Sequence, residues 1–337
     1  MCMTRKKNPI FTKGQISHAW LSNILSESVT IRQIQPLAAG YVSDVYRIHL
    51  QATDLANKTT SVIVKTASLE PAKRMIASQF KSYQREYQFY RDIAPELDLS
   101  TPECYYKHFH EQPLSFCLVL EDVSSADRYP DTRASAQTID ETIVKQMAGL
   151  HQSHWNLPSG LPTFIDNLDQ IGASYRAVFD RHKSIAHGCL GDFAWEVVRD
   201  YIHHGFKVQQ PYPSTLIHVD IKPDNFSLKN DLTLFDWGDY CFGPPTFDLA
   251  NFMINTPNSH QACQRHDLHL MAIYHKTLLE LGVLNYSLRE FHQDFQDILP
   301  LLAFTPLALI NAAPGTSKTD KLRRILQQLG QMIEWHC

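Results

Sequence analysis

The sequence predicts an α+β fold of two lobes, a small β-rich N-terminal lobe and a larger, mainly helical C-terminal lobe. The first third of the chain has the short alternating or β-branched apolar segments that are typical of strands. These segments are residues 31–37, 45–50, 61–65, 104–109 and 115–121. Beyond Asp122 the apolar residues recur every three or four positions, which is typical of amphipathic helices.

The same periodicity divides the chain into parts. Residues 1–30 are expected to be an N-terminal extension whose first eleven residues form a disordered lead-in, 31–122 the N-terminal lobe and 123–337 the C-terminal lobe. One helix is expected in the N-terminal lobe, at 72–93, and an inserted hairpin in the C-terminal lobe, from Ser214–His218 and Leu232–Asp236. The helices expected in the C-terminal lobe are 137–154, 166–182, 190–205, 261–281, 287–299 and 320–335.

The composition excludes several classes of protein. With 337 residues, 44% hydrophobic and 20% charged, the chain is large enough for two ordinary domains, and it has no apolar run of about 18 residues that would cross a membrane. A net charge of −4 offers no general attraction to nucleic acid. The seven cysteines are scattered and contain no CxxC pair, which favours reduced thiols in a cytoplasmic protein. The oligomeric state is not indicated.

The informative motif lies in the C-terminal half. His218, Asp220 and Asn225 form the pattern HxDxxxxN, and Asp236 follows eleven residues later in Asp-Trp-Gly, at the end of an apolar segment. Phosphoryl transfer needs a carboxylate to orient an acceptor hydroxyl and two oxygen ligands for Mg²⁺. The simpler alternative, in which Asp220 and Asn225 only form a turn around Pro223, does not account for the third position.

These residues resemble the aminoglycoside phosphotransferase and choline kinase superfamily, relatives of the protein kinases, over about residues 31–255. The resemblance implies a two-lobed protein-kinase-like fold and a kinase that uses ATP and Mg²⁺ to phosphorylate an alcohol. It implies that Asp220 is the catalytic carboxylate, that Asn225 and Asp236 hold Mg²⁺, and that His218 and Asp248 support the loop. The chain also resembles the ecdysteroid-kinase-like branch.

The N-terminal half contains matching residues in the expected order. Lys65 ends the third strand and Glu86 lies on the following helix, as in the ion pair that holds nucleotide phosphates in kinases. A solvated strand-end lysine is the alternative, and order along the chain argues against it. The turn with Gly40 and Ser43 resembles a phosphate-covering loop with a single glycine. Backbone groups near Glu121 and Val123 are expected to bind the adenine edge.

Two features favour a small-molecule alcohol over a protein as the substrate. Val219 replaces the arginine that protein kinases use to receive an activation-loop phosphate. Only nine residues separate Gly238 from Asp248, too few for a peptide-docking loop. Lys222 resembles the serine/threonine kinase loop and is expected to contact the transferred phosphate, a solvated loop charge being the alternative.

The acceptor itself is not specified by the sequence. Acidic and aromatic residues that are candidates for a pocket for a cationic alcohol are Asp192, Trp195, Glu196, Asp239 and Tyr240. Aminoglycosides, choline-like alcohols and other alcohols stay open. The alternative from another class is a pseudokinase, a binding module that keeps the fold without catalysing transfer.

Overall fold

A computed structural model describes most of the chain and divides it into two compact units. The described residues are 12–37, 42–52, 59–123, 133–157, 163–204, 212–228, 232–256, 264–310 and 317–337. They belong to one unit with the bounds Met1–Asp127 and Ser227–Asp239 and to a second with the bounds Arg128–Phe226 and Tyr240–Cys337. The lead-in expected at residues 1–11 lies outside the described residues. No helix in the described part is long and apolar enough to cross a membrane.

The first unit contains most of the strands, whereas helices dominate the second. The strands are β1 Val29–Pro36, β2 Ser43–Ala52, β3 Ser61–Ala67, β4 Cys104–His110, β5 Ser115–Glu121, β6 Thr215–Ile217, β7 Phe226–Ser227, β8 Thr233–Leu234 and β9 Cys241–Gly243. The helices are α1 His18–Leu25, α2 Pro71–Gln79, α3 Ser82–Gln88, α4 Arg133–Ser153, α5 Phe164–Leu190, α6 Asp192–His204, α7 Thr246–Asn255, α8 Gln264–Glu280, α9 Leu288–Ile298, α10 Phe304–Leu309 and α11 Ser317–His336.

The first unit is built on a five-stranded antiparallel sheet in the order β1-β2-β3-β5-β4. Alternate residues of the strands, such as Val62 and Val64, point into a core that α1 covers through Leu21. Helix α1 begins where the Ser17 hydroxyl accepts a hydrogen bond from the backbone N–H of Trp20. The sheet holds β3 in its centre, and β3 carries Lys65.

The predicted helix at 72–93 is interrupted. Helix α2 ends at Gln79, and Lys81 adopts a left-handed conformation with φ 54° before α3 begins. A π-helical turn, Phe89–Ile93, then continues α3. The break separates α2 from the short helix that carries Glu86, and sequence periodicity missed it because a single residue at positive φ leaves the apolar spacing almost unchanged.

The predicted hairpin in the second half of the chain was wrong. Strand β6 pairs antiparallel with β9, with Leu216 opposite Phe242, whereas the predicted partner, β8, belongs to the first unit. The sequence analysis also missed α7, because nearly all of its residues are buried. A helix that is buried on nearly all sides lacks the contrast between an apolar and a solvent-exposed face on which a periodicity argument depends.

In the second unit, helices α5 and α11 are in close contact. Gly330 of α11 lies so near the backbone of α5 that a Cβ atom there would be 2.2 Å from the carbonyl oxygen of Leu190. A contact this short requires backbone movement, because rigid main chain meets the added atom. Gly188, also within a helix, has nothing within 4 Å of the same ideal position.

We expect Gly330→Ala to destabilise the protein by about 1–3 kcal/mol or more, the usual cost of overpacking. Gly188→Ala is the matched control, and it should raise stability by about 0.4–1 kcal/mol because alanine restricts the unfolded chain. Thermal and urea unfolding of the two variants measure both effects. Equal stability of the two variants would contradict the packing described for α11.

Candidate active site

A partly buried ion triad lies in the first unit at the position predicted for the kinase lysine. The Lys65 ammonium donates to Glu86 Oε1 at 2.5 Å and to Asp236 Oδ1 at 2.6 Å. The sheet fixes Lys65 through β3, and α3 presents Glu86. The lysine and Glu86 are buried, whereas the Asp236 side chain is 47% exposed. The predicted pair therefore exists, and the structure adds Asp236 to it.

The charges of this triad are unbalanced, with two carboxylates for one ammonium. Burial raises the pKa of Glu86 to about 7, and the Lys65 charge only partly opposes this effect. Burial alone would lower the pKa of Lys65, but Asp236 and Glu86 raise it above its ordinary value. Lys65 therefore stays charged, and Glu86 protonates more readily than an ordinary glutamate.

The segment that carries Asp236 is fixed by an aromatic stack. The Trp237 ring lies parallel to Phe89 with the ring centroids 4.0 Å apart, and its indole N–H donates to the carbonyl of Leu234. Asp236 itself has a φ of 70°. Left-handed conformations are unfavourable for residues other than glycine, and they cluster at functional sites. Packing of Trp237 holds this one against the helix that carries Glu86.

The segment that follows β5, predicted to bind the adenine edge, is anchored by a partly buried ion pair. The Asp122 carboxylate accepts two hydrogen bonds from Arg47 of β2, at 2.7 and 3.2 Å, and one from the hydroxyl of Ser61 of β3. Glu121 and Val123 lie directly on either side of Asp122. Two neighbouring strands thus fix the backbone of this segment, a tether that sequence reasoning missed because Arg47 is 75 residues away.

Part of the predicted phosphate-covering turn lies among the described residues. Gly40 lies outside the described residues. Ser43 opens β2 and is buried opposite Ala67. Close to this turn, the Tyr83 hydroxyl of α3 donates to the carbonyl of Val42, so one end of the turn is attached to the same helix as Glu86.

The second unit contains the HxDxxxxN loop. Asp220 Oδ2 accepts from Lys222 Nζ at 2.5 Å and from Asn225 Nδ2 at 2.8 Å. The same Asn225 amide also donates to the Asp220 carbonyl at 2.9 Å. In the part of the chain that the structure describes, Asp220 Oδ1 has no donor. The three predicted residues Asp220, Lys222 and Asn225 are therefore brought together, and one carboxylate oxygen is left available.

Asp248 of α7 fixes the backbone at the start of this loop. Its two carboxylate oxygens accept from the backbone N–H groups of His218 and Val219, each at 2.7 Å. His151 Nε2 lies 3.3 Å from Asp248 Oδ2 and, since a carboxylate only accepts, must be the donor. Nδ1 of this histidine then accepts from the hydroxyl of Tyr274 at 2.6 Å. All of these side chains are buried, and they fix the backbone on which Asp220 lies.

Three of the residues considered for an acceptor pocket contact residues other than those of the Asp220 loop. Asp192 pairs with His187, and Glu196 pairs with Arg199. Trp195 stacks on Phe179 with the ring centroids 4.6 Å apart. Tyr240 is fully buried, and Asp239 belongs to the first unit. Near the loop of Asp220, the charged residue that the sequence analysis missed is Lys321 of α11, which contacts Asp224 at 2.7 Å.

We expect Glu86 to make the folded state less stable as the pH rises. Its folded pKa is above its unfolded value of 4.5, so its stabilising contribution is fully present below pH 4.5 and is lost as the pH rises through about 7. The Glu86→Gln variant should therefore lose less stability than the wild type between pH 5 and 8. Thermal unfolding across this range measures the difference.

Asp92→Asn is the control for this experiment. Arg91 holds the pKa of the exposed Asp92 carboxylate below its ordinary value, so this group stays ionised throughout the range. Buried Asp267 and half-buried Asp294 also have raised pKa values, and for this reason the comparison uses the difference between variants. The same pH slope in wild type and Glu86→Gln would contradict the assignment.

Several solved structures are similar to the chain. An amicoumacin kinase in complex with AMP-PNP and Ca²⁺ is 12% identical over 95% of each chain, with a TM-score of 0.59. An ethanolamine kinase of Plasmodium vivax is 14% identical over 88% of this chain and 81% of that one, with a TM-score of 0.52. A GDP complex of aminoglycoside 2′-phosphotransferase-IIIa is 13% identical over 90% of this chain and 94% of that one, with a TM-score of 0.52.

These similarities confirm the predicted α+β, two-lobed kinase-like fold class. None of the curated proteins matches the chain at a significant level. The likeness to the ecdysteroid-kinase-like branch stays a prediction. A model described as the phosphotransferase enzyme family (APH) matches residues 33–277. Because that match spans more than half of the chain, the protein belongs to the phosphotransferase enzyme family.

Proposed function

We propose that this phosphotransferase transfers the γ-phosphate of ATP, with Mg²⁺, to a hydroxyl group of a small molecule. The observation that carries the proposal is the arrangement of Asp220. Its Oδ2 atom is occupied by Lys222 and Asn225, whereas Oδ1 has no donor among the described residues. A carboxylate held on one side and available on the other is suited to accept a proton from an acceptor hydroxyl.

In the proposed chemical step, Asp220 Oδ1 accepts the proton of the acceptor hydroxyl. As the acceptor oxygen bonds to the γ-phosphorus, its proton passes to Oδ1, and the bond between the γ-phosphorus and the bridging oxygen breaks to release ADP. The transition state is loose, so positioning and charge neutralisation supply most of the rate enhancement. The hydrogen bonds of Lys222 and Asn225 to Oδ2 serve the positioning.

Lys65 would bind the phosphates, and Glu86 would keep its ammonium in place. The Lys65–Glu86 contact of 2.5 Å and the burial of both side chains support these roles. An ammonium whose pKa is raised by two carboxylates keeps its charge for binding an anion.

Asn225 and Asp236 would hold Mg²⁺, and the residues present fit that ion. The amide N–H groups of Asn225 point to Asp220, which leaves the amide oxygen, without a donor among the described residues, as a hard ligand. The half-exposed Asp236 carboxylate belongs to a triad with an excess negative charge. When bound, Mg²⁺ would neutralise charge on the phosphate oxygens.

The remaining predicted residues would complete the nucleotide site. Backbone groups of Glu121 and Val123 would bind the adenine edge, supported by the Asp122 tether. Gly40 and Ser43 would contact the phosphates from the turn. Lys222 would contact the transferred phosphate, because its ammonium is already held against Asp220.

The acceptor is proposed to be a compact alcohol. Val219 and the short interval between Gly238 and Asp248 support a small molecule over a polypeptide. Names of similar structures include an ethanolamine kinase and an aminoglycoside phosphotransferase, which supports hydroxylated amines as the first acceptors to test. A screen of hydroxylated metabolites and antibiotics for ADP release identifies the acceptor.

The main test separates nucleotide binding from transfer. Mg-ATP at about 100 times its Kd should stabilise the wild type by about 2.7 kcal/mol, seen as a higher Tm. Asp220→Asn should keep this shift and lose about 10²–10⁴-fold in kcat for ADP release, because it removes the base and leaves the proposed Mg²⁺ ligands in place.

The exposed neighbour Asp224 provides the control. Asp224→Asn should retain both the Tm shift and kcat, since its contact with Lys321 is at the surface. Loss of nucleotide binding in Asp220→Asn would show that its role is structural. A nucleotide-dependent shift without transfer to any acceptor would indicate a pseudokinase, and no shift at all would refute the nucleotide site.

A second prediction concerns the two lysines of the loop region. Lys222→Ala should lower kcat by about 10²–10³-fold, because its ammonium is proposed to stabilise charge on the transferred phosphate. Lys321→Ala removes an equal charge from the Asp224 contact and should change kcat by no more than about twofold. Steady-state ADP release with an identified acceptor measures both. Equal losses would mean that general positive charge, rather than contact by Lys222, supports the reaction.

A further inference from the structure

Val219, the residue before Asp220, has an unfavourable backbone conformation. Its φ is 76°, in the left-handed region. A β-branched side chain makes this region especially unfavourable, because its Cβ substituents crowd the following carbonyl. The peptide unit that leads into Asp220 would therefore relax to an ordinary conformation unless other groups held it.

Asn251 of α7 holds the carbonyl groups on both sides of Asp220. Its Nδ2 atom donates to the Val219 carbonyl at 3.2 Å and to the Ile221 carbonyl at 3.4 Å. The first of these bonds fixes the orientation of the strained residue, and the second fixes the residue after Asp220. Asp248 binds the preceding peptide unit, where it accepts from the Val219 N–H. Both polar groups of Val219 are thus bound by α7.

The orientation of the Asn251 amide is set by a second asparagine. Asn255, one helical turn further along α7, donates from Nδ2 to Asn251 Oδ1 at 3.1 Å and to the Asn251 carbonyl at 2.8 Å. Because Asn251 Oδ1 accepts this bond, its NH₂ group is the part that meets the loop. Residues 248, 251 and 255 lie on one face of α7 at helical spacing.

We propose that Asn251 is a positioning residue for the phosphotransfer: by binding the carbonyls that flank Asp220, it keeps Val219 left-handed and the Asp220 carboxylate aimed at the acceptor. This inference rests on the proposed function of Asp220. The reacting atoms are not touched by Asn251, which acts through the backbone of the loop. Small displacements of a catalytic group are costly, on the order of 10²-fold for about 1 Å.

The first test compares Asn251→Ala with Gln328→Ala. Gln328 of α11 is also a buried amide that donates to an α7 backbone carbonyl, that of Met253, at 3.1 Å. Both variants should lower the Tm. Only Asn251→Ala should accelerate amide hydrogen exchange in the 216–225 segment of the free, full-length protein, by about tenfold, since only this variant removes a hold on the loop. Unchanged exchange in Asn251→Ala overturns the proposal, whether or not transfer is observed.

The second test is kinetic. With an identified acceptor, Asn251→Ala should lower kcat for ADP release by about 10–100-fold and leave KM for Mg-ATP within about twofold, because the nucleotide contacts are unchanged. Gln328→Ala should keep the wild-type kcat at a temperature where it is folded. Equal losses of kcat in the two variants would show that Asn251 is merely structural.

The third test uses Val219→Gly, because glycine adopts positive φ without strain. If Asn251 acts by holding a strained residue, Asn251→Ala should cost no more than about threefold in kcat when residue 219 is glycine, a strong coupling between the two sites. The same loss in both backgrounds overturns the proposed mechanism. Faster exchange in Asn251→Ala with no transfer by the wild type would instead refute the proposed function and support the hold on the loop.

Discussion

The geometry of the second unit depends on the buried carboxylate of Asp248. A buried charge is costly unless hydrogen bonds replace its hydration, and Asp248 receives them from His151 and from two consecutive backbone N–H groups, those of His218 and Val219. The requirement works in both directions, because those N–H groups would otherwise be buried without a partner. Satisfying Asp248 therefore sets the path of the chain immediately before Asp220, about thirty residues away in sequence.

The first unit solves a different electrostatic problem. Lys65 is buried, and its charged form must be stabilised. One carboxylate in a dry environment would stabilise this charge, and two carboxylates stabilise it more strongly. The second carboxylate, Asp236, is half-exposed, so its charge is less costly. Glu86 is buried, and this burial disfavours its charged form and raises its pKa. Unequal exposure thus gives two carboxylates with the same partner different chemical roles.

Local patterns predicted the parts of the fold that local forces determine. The central strands match closely, and the two motif residues Asp220 and Asn225 are in contact, because only four residues separate them along the loop. Pairings between distant segments were not predictable in this way. Thr215–Ile217 could pair with any short apolar segment, and the choice of Cys241–Gly243 depends on tertiary packing. The Arg47–Asp122 tether and the contacts of Asn251 likewise have no sequence signature, since an arginine or asparagine does not indicate its partner.

Val219 in the second unit and Asp236 in the first have positive φ although neither is glycine, and the reasons differ. At position 236 the side chain forms a salt bridge with Lys65. Glycine would relieve the backbone strain there but would remove this carboxylate. At position 219 the valine side chain has no polar group that could make a comparable contact, and glycine would be less strained. The conformation there must be maintained by its surroundings, and Asp248 and Asn251 bind both polar groups of its backbone. The strain at 219 is therefore evidence that α7 is built to hold the loop, because a relaxed residue would not need two buried side chains to fix it.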